Sequence, residues 1–123
     1  MGRVLIADDE QKILEVMKDI LETQGHQVVA VSDGETALRW LRSDHFDVAL
    51  IDVMMPKVDG YHVAASVRAL DKPPKIVIVT ARDFNTDKGA VQASGADAFL
   101  PKPFSTKDLI DVVKNLISEK SKK

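Results

Sequence analysis

Cysteine is absent from the sequence. This absence excludes a disulfide framework, a zinc site built on thiolates and a cysteine nucleophile. Long hydrophobic runs are lacking as well, and no stretch approaches the ~20 apolar residues that a membrane-spanning helix needs. The N-terminus leads directly into a strand-like run rather than a signal peptide. We therefore expect a cytoplasmic protein without a membrane segment.

A strong excess of one charge is also missing. The chain has 17 basic and 19 acidic residues and a formal net charge of -2, whereas a nucleic-acid-binding surface shows a concentrated basic face. We therefore expect no direct binding of nucleic acid. The basic run Lys120, Lys122 and Lys123 is interpreted as a solvated tail or the start of a linker, with nucleic-acid or membrane binding as the alternative.

The size of the chain fits a single domain. It has 123 residues, of which 45% are hydrophobic and 29% charged, which is typical of a soluble globular protein. We predict one domain over residues 1–119 and a C-terminal tail or linker start over residues 120–123.

Five short apolar runs are present along the chain, and each ends abruptly in polar or turn residues. Continuous runs of this kind, rich in β-branched residues, are typical of strands that are buried on both faces. The predicted strands cover residues 4–7, 28–31, 48–51, 76–79 and, more weakly, 98–100.

The segments between these runs have apolar residues at helical spacing. Gly25 is predicted to end the first helix, and Asp33 and Asp59 are predicted to cap the second and third. Either Ser105 or Thr106 is predicted to cap the last helix. The predicted apolar faces are Ile13, Met17, Ile20 and Leu21; Ala37, Leu38 and Leu41; Val63, Val67 and Leu70; and Leu109, Val112, Val113, Leu116 and Ile117.

The alternation of strands and helices predicts the fold class. A fourth helix near residues 86–94 is the least amphipathic, because its buried-looking residues, Ala90 and Ala93, are small. Five strands alternating with five helices indicate right-handed crossovers and a doubly wound α/β fold, in which a parallel sheet is covered on both faces. The pattern alone leaves the strand order open, and 2-1-3-4-5 is one of the two common solutions.

Chemically versatile side chains follow the predicted strands. Asp8 and Asp9 follow the first strand, Asp52 ends the third, Thr80 ends the fourth and Lys102 follows the fifth. In a doubly wound sheet, ligands bind outside the carboxyl ends of the strands, near the point where the strand order reverses. In the order 2-1-3-4-5 the first and third strands are neighbours there, so three carboxylates would converge beside a hydroxyl and an ammonium group.

Converging carboxylates repel one another unless a counter-charge is present. Mg²⁺ prefers oxygen ligands and binds through a few carboxylates together with a phosphate oxygen. The cluster therefore predicts a phosphoryl-transfer site in which Asp52 is the nucleophile. The metal, Lys102 and the Thr80 hydroxyl would neutralise charge on the transferred group, and the product would be an acyl phosphate on Asp52.

Each residue also has a structural interpretation. The acidic run from Asp8 to Glu10 would suit a helix N-terminus, Asp52 would suit a turn, Thr80 a strand end and Lys102 the protein surface. The joint placement of these residues at one edge of the sheet favours a functional site over five separate coincidences.

Four motifs in register resemble the CheY-like receiver domain of bacterial two-component response regulators. They are Val-Leu-Ile-Ala-Asp8-Asp9-Glu, Asp52-Val-Met-Met-Pro56-Lys-Val-Asp59-Gly60, Val-Thr80-Ala81 and Lys102-Pro103-Phe104. The resemblance covers about residues 3–118. It implies a flavodoxin-like (βα)5 three-layer sandwich with strand order 2-1-3-4-5.

The resemblance also implies roles around the phosphoacceptor. Asp52 would accept phosphoryl from a histidine kinase or a histidine phosphotransfer protein. Asp8 and Asp9 would hold Mg²⁺ or Mn²⁺ together with Asp52 and the backbone carbonyl of Met54. The chain would then be a regulatory phosphoacceptor rather than a turnover enzyme, and it would act as a monomer or a phosphorylation-linked dimer.

A further set of implied roles concerns the switch. Lys102 would contact the phosphoryl group, Thr80 would rotate toward it, and Phe99 would swing inward. This movement would change the face formed by the fourth helix, fifth strand and fifth helix, which controls a partner or output domain. Phe99 stands where many family members have tyrosine, and plain core packing is its alternative role. The Lys102–Pro103 bond is expected to be cis.

Six further residues are considered, two beside the site and four elsewhere in the chain. In similar proteins the positions of Met54 and Arg82 tune dephosphorylation, although Arg82 would also suit the entry of a helix. Three histidines show no metal-ligand spacing and are interpreted as surface or loop residues, and the one tryptophan is interpreted as a partly buried packing residue. These residues are His26, His45, His62 and Trp40.

Two other functions compete with the phosphoacceptor. Hydrolases that form an aspartyl phosphate place the nucleophile after the first strand, with a second Asp two positions later, whereas Met54 stands two positions after Asp52. A phosphorylation-independent interaction domain of the same fold is the other alternative.

Overall fold

The chain forms one parallel sheet with helices on both faces. The computed structural model describes residues 2–55, 59–81, 89 and 95–121. Pro56, Arg82 and the predicted fourth helix at residues 86–94, apart from Gly89, therefore lie outside the described residues. The strands are β1 (Arg3–Ala7), β2 (Gln27–Val31), β3 (Val48–Asp52), β4 (Lys75–Thr80) and β5 (Ala98–Pro101). The helices are α1 (Gln11–Thr23), α2 (Gly34–Ser43), α3 (Gly60–Arg68) and the C-terminal helix (Thr106–Ser121).

The sheet has the order β2-β1-β3-β4-β5, and every pair of neighbouring strands is parallel. The prediction of a doubly wound α/β fold is therefore confirmed, and so is the strand order implied by the resemblance. The order reverses between β1 and β3, so the carboxyl ends of these two strands lie side by side.

Two apolar layers cover the sheet because successive strand residues point to opposite faces. On one face Leu5 and Ile51 pack among residues of α2 and α3. On the other face Ile6 and Leu50 pack among residues of α1 and the C-terminal helix. The central strands are apolar on both faces for this reason, which explains their unbroken hydrophobic runs. Edge strand β2 is only half-buried over most of its length.

The helix caps follow the predictions. Asp33 accepts a hydrogen bond from the Thr36 backbone N–H at 2.7 Å, and Asp59 accepts one from the His62 N–H at 3.0 Å. Gly25 follows α1 with a φ of 90°, a conformation that favours glycine. At the last helix, Ser105 rather than Thr106 fills the cap, since its Oγ accepts from the Asp108 N–H at 3.0 Å.

The buried face of α1 differs from its prediction at three residues. Met17 and Leu21 are buried as predicted, but Leu14 lies at the centre of the face, while Ile13 and Ile20 are only half-buried. Leu14 is three and seven residues before the other two buried positions, which places all three on one stripe. The other predicted faces pack against the sheet as expected, with Leu70 half-buried beyond the end of α3.

One aromatic cluster was not predicted. Phe46 is fully buried in the loop before β3, with the Arg3 guanidinium 4.7 Å from its ring centroid. Trp40 meets it edge-on, with the ring centroids 6.5 Å apart. Trp40 is exposed, at 38%, rather than partly buried as predicted. His45 and His62 are exposed and His26 is half-buried. None of the helices in the described ranges is long and apolar enough to cross a membrane.

Gly60 allows α3 to begin directly against the end of β3. Its N–H donates to the Val53 carbonyl at 3.0 Å, and a Cβ at this position would lie 2.2 Å from the backbone oxygen of Asp52. Real Cβ atoms do not approach a carbonyl oxygen this closely, so any larger residue must displace one of the two backbones.

Gly60→Ala should therefore lower the free energy of unfolding by about 1–3 kcal/mol, the typical cost of overpacking a closed contact. Chemical denaturation of both proteins measures this difference. Gly89→Ala is the matched control, because Gly89 is helical and a Cβ there meets nothing within 4 Å. It should leave stability unchanged or raise it by up to about 1 kcal/mol. Equal effects of the two substitutions would contradict the steric argument.

Candidate functional site

Asp8 sits where β1 turns into α1. Its carboxylate is buried, and its N–H donates to the Val31 carbonyl at 3.1 Å, which extends the pairing of β1 with β2 by one residue. The Asp8 Oδ1 accepts from the Glu10 N–H at 2.9 Å. This bond turns the chain toward the helix and leaves Oδ2 facing the end of the sheet, while Asp9 beside it is exposed.

Asp52 is the last residue of β3 and is only 5% exposed. The Met54 N–H donates to its Oδ1 at 3.2 Å, so the carboxylate is bound by the chain that follows it. The backbone just beyond is held on both sides, because the Val53 N–H donates to Val79 at 3.3 Å and the Val53 carbonyl accepts from Gly60 at 3.0 Å.

Three acidic residues at the carboxyl ends of β1 and β3 come together at the edge of the sheet. Asp8, Asp9 and Asp52 each place one carboxylate oxygen within 4.8 Å of those of the other two. Two of the three carboxylates are buried, where their mutual repulsion is weakly screened. A set of carboxylate oxygens at this spacing suits a hard divalent cation such as Mg²⁺, so the residues present fit the predicted metal.

Lys102 is the cation among these carboxylates. Its Nζ donates to Asp8 Oδ2 at 2.8 Å and to Asp52 Oδ2 at 3.3 Å. A third contact reaches the exposed Glu10 at 3.4 Å. Burial disfavours the ammonium form, but the hydrogen bond to Asp8 and the charge of Asp52 outweigh it and raise the pKa of Lys102 above its ordinary value. Lys102 is therefore charged at neutral pH.

The backbone places Lys102 through β4 and β5. The Lys102 N–H donates to the Thr80 carbonyl at 2.8 Å, one step beyond the pairing of Thr80 with Pro101. The Lys102–Pro103 bond is cis, as the resemblance implied. Thr80 is fully buried at the end of β4, so the hydroxyl and the ammonium group belong to neighbouring strand ends.

Asp52 titrates unusually for an aspartate. Burial raises its pKa to about 6, and the charge of Asp8 acts in the same direction. Lys102 and the Met54 N–H oppose this shift without cancelling it. At neutral pH Asp52 is thus ionised, although its negative charge is energetically unfavourable in this buried site. The carboxylate is therefore more basic than an ordinary one.

Two further residues were predicted to take part in the site, Met54 and Phe99. Met54 is exposed, and the proposed use of its carbonyl as a metal ligand stays a prediction. Phe99 is half-buried and packs against the core layer under α3, and its role as a switch also stays a prediction. Glu10 was not predicted to reach Lys102, and the only signal for it in the sequence is its place at the end of the acidic run.

Comparison with known proteins supports the resemblance. Residues 4–114 match the sequence model of the response regulator receiver domain. The chain is 34% identical over 117 residues to the transcriptional regulatory protein CpxR of Escherichia coli strain K12, which covers 95% of this chain and 50% of that protein. It thus spans about half the length of the curated relatives that it matches.

Solved structures show the same fold. A CheY-like response regulator receiver domain protein from Methanospirillum hungatei superposes with a TM-score of 0.93 at 29% identity, covering 99% of this chain and 98% of that one. The response regulator TrrA of Thermotoga maritima, solved in complex with Mg²⁺-BeF, gives a TM-score of 0.85 at 33% identity and covers 94% of this chain and 99% of that one.

The raised pKa of Asp52 has a consequence for stability in metal-free buffer. Relative to a neutral residue, the ionised carboxylate destabilises the fold, and this penalty grows as the pH rises from about 4 through about 6. Below pH ~4, Asp52→Asn and the wild type should therefore have nearly the same free energy of unfolding. At pH 7 the variant should be more stable by about 1–3 kcal/mol. Denaturation in EDTA across this range measures the difference.

Asp19→Asn provides the control, since Asp19 is exposed on α1. It should change the stability at pH 7 by no more than about 0.5 kcal/mol. If Asp52→Asn proved less stable than the wild type at pH 7 without metal, the ionised Asp52 carboxylate would not destabilise the fold, and the description of the site would be wrong.

Proposed function

The chain belongs to the response regulator receiver domain family, and on that basis we propose that Asp52 accepts a phosphoryl group in a Mg²⁺-dependent reaction. The donor is the phosphohistidine of a sensor histidine kinase or of a histidine phosphotransfer protein. The observation that carries the proposal is the buried Asp52 carboxylate, placed within reach of both Asp8 and Lys102.

In the transfer, a carboxylate oxygen of Asp52 forms a bond to phosphorus while the bond between phosphorus and the donor breaks. The donor nitrogen keeps the electron pair, and the product is an acyl phosphate on Asp52. A carboxylate with a pKa near 6 is still ionised at neutral pH, and it is a better nucleophile than an unperturbed aspartate. The neighbouring hydrogen bond from Met54 fixes the orientation of its other oxygen.

The positive charge that the reaction needs is already placed. The Lys102 ammonium lies 3.3 Å from Asp52, so it can neutralise an oxygen of the incoming phosphoryl group. Asp8, Asp9, Asp52 and the Met54 carbonyl would hold Mg²⁺. When bound, Mg²⁺ supplies further positive charge against the carboxylates and the phosphoryl oxygens.

The phosphorylated chain then acts as a regulator rather than as an enzyme with external substrates. Phosphorylation adds charge and three acceptor oxygens at the end of β3. Thr80 and Lys102 lie at the adjoining strand ends and are drawn toward those oxygens, and Phe99 on β5 carries the change to the surface. The partner or output domain that prefers this altered surface is the target of the signal.

Phosphorylation by a small donor tests the proposal directly. Incubation with acetyl phosphate and Mg²⁺ should add the mass of one phosphoryl group to the intact protein, and Asp52→Asn should abolish this gain. Asp19→Asn should be phosphorylated like the wild type. No mass gain in the wild type would favour the phosphorylation-independent interaction domain, and an undiminished gain in Asp52→Asn would place the acceptor elsewhere.

We further propose that the phosphodonor protein docks on an apolar groove beside the site. A groove of about 450 Å³ lies between α1 and the loop that follows β5, and Lys102 of that loop is among its lining residues. Ile13, Val16 and Phe104 line it, and Val16 is 55% exposed. A protein-bound phosphohistidine must come within bonding distance of Asp52, so the protein that carries it must cover the surface beside Asp52, where this groove lies.

Val16→Asp should therefore slow phosphotransfer from a protein donor at least about tenfold, the effect of roughly 1.4 kcal/mol lost on docking. Phosphorylation by acetyl phosphate should be unchanged, because this small donor needs no docking surface. The donor for the assay is the autophosphorylated histidine kinase that phosphorylates the wild type fastest.

Asn115→Asp is the matched control, because it adds the same charge at an exposed position of the C-terminal helix outside the groove. It should leave both reactions as they are in the wild type. Equal slowing by the two variants, or slowing with acetyl phosphate as well, would show that the groove is not the docking surface.

A further inference from the structure

The end of the sheet opposite Asp52 contains a second polar cavity. It has a volume of about 830 Å³ and lies where β4 begins, against the end of α3 and the residues before β5. The six residues of β4 separate it from the phosphoacceptor end by roughly 20 Å. A cavity of this size is within the range of small-molecule sites.

Basic side chains dominate its lining. Arg68, Lys72 and Lys75 carry positive charge there, and the exposed His45 adds a titratable group. Asp97 is the carboxylate in the lining. Among the described lining residues, two positive charges are thus left without a counter-charge, in a protein whose formal net charge is -2.

The carboxylate of Asp97 is already committed to the backbone. Its Oδ2 accepts from the Ile76 N–H at 2.8 Å, and its Oδ1 lies 3.9 Å from the Lys75 ammonium. Asp97 therefore binds the backbone at the start of β4 and pairs with one of the three cations, Lys75. Arg68 and Lys72 form no ion pair with any of the residues that the structure describes.

The position of the Arg68 side chain is restricted. A Cβ on Gly95 would lie 2.8 Å from the Nε of Arg68 and 3.1 Å from its Cγ. Arg68 therefore lies flat along the backbone of Gly95, whose φ of 74° also favours glycine. Lys72 is followed by Pro73 and Pro74, whose rings fix the backbone φ angles between the two lysines. A guanidinium that is already held in place loses less entropy when it binds an anion.

We propose that this cavity binds a small anion with several negative charges, of the phosphate-ester or pyrophosphate class. The planar guanidinium of Arg68 suits bidentate binding of phosphate oxygens, and the two lysine ammonium groups act as point charges beside it. The site is separate from Asp52, so it binds its anion whether or not Asp52 can be phosphorylated.

Titration of the ¹⁵N-labelled whole chain with sodium pyrophosphate, in EDTA and at constant ionic strength, tests the proposal. The amide signals of Lys72, Lys75 and Asp97 should shift and saturate with a dissociation constant of about 1 mM or tighter. Lys72→Gln should weaken binding at least about tenfold, and so should Arg68→Gln if its thermal unfolding matches that of the wild type. Asp52→Asn should bind as the wild type does, which separates this result from the phosphoacceptor proposal.

Lys18→Gln is the control for a general effect of charge, because Lys18 is on α1, away from the cavity. It should leave the affinity unchanged. Shifts that remain linear in pyrophosphate concentration, or an equal loss in Lys18→Gln and Lys72→Gln, would overturn the proposal. Titration with ADP then distinguishes the source of the phosphate groups: tighter binding than pyrophosphate indicates a nucleotide, and equal or weaker binding indicates a ligand without a base.

Discussion

The repulsion between buried carboxylates, and its partial relief by one lysine, is the constraint on which the site depends. Asp8 and Asp52 come from adjacent strands and cannot move apart without breaking the pairing of β1 with β3. Lys102 donates to both of them, yet the pKa of Asp52 still rises to about 6. The site is thus left short of positive charge, and this shortage is what favours a divalent cation there.

The rest of the fold holds these groups in place. Parallel strands bring residues from three distant parts of the sequence to one edge, and the apolar layers on both faces prevent the strands from sliding. Because β3 is the central strand and β4 is its neighbour, Asp52 and Thr80 end strands that are buried over almost their whole length. The three described residues Asp9, Glu10 and Met54 beside the site are exposed, so partners and solvent can reach it from their side.

Much of this arrangement could be predicted from the sequence, because each central strand is an apolar run that stops at a polar residue. The strand ends place Asp8, Asp52, Thr80 and Lys102 at one edge once the strand order is known, but that order came from the resemblance and not from the pattern. Contacts that join distant segments were harder to predict. The Glu10–Lys102 contact and the burial of Phe46 under Arg3 depend on side-chain reach between separate elements, which local periodicity does not encode.

The close approach of Gly60 to Asp52 has a consequence for how members of this fold can diversify. The hydrogen bond from Gly60 to Val53 closes the chain between them into a ring whose two ends are anchored in β3 and α3. Met54, the first residue inside the ring, is exposed, whereas Met55 is buried in the core and Asp59 caps α3. Position 54 can therefore vary and alter the surroundings of the acceptor, while Met55 and Asp59 keep β3 and α3 where they are.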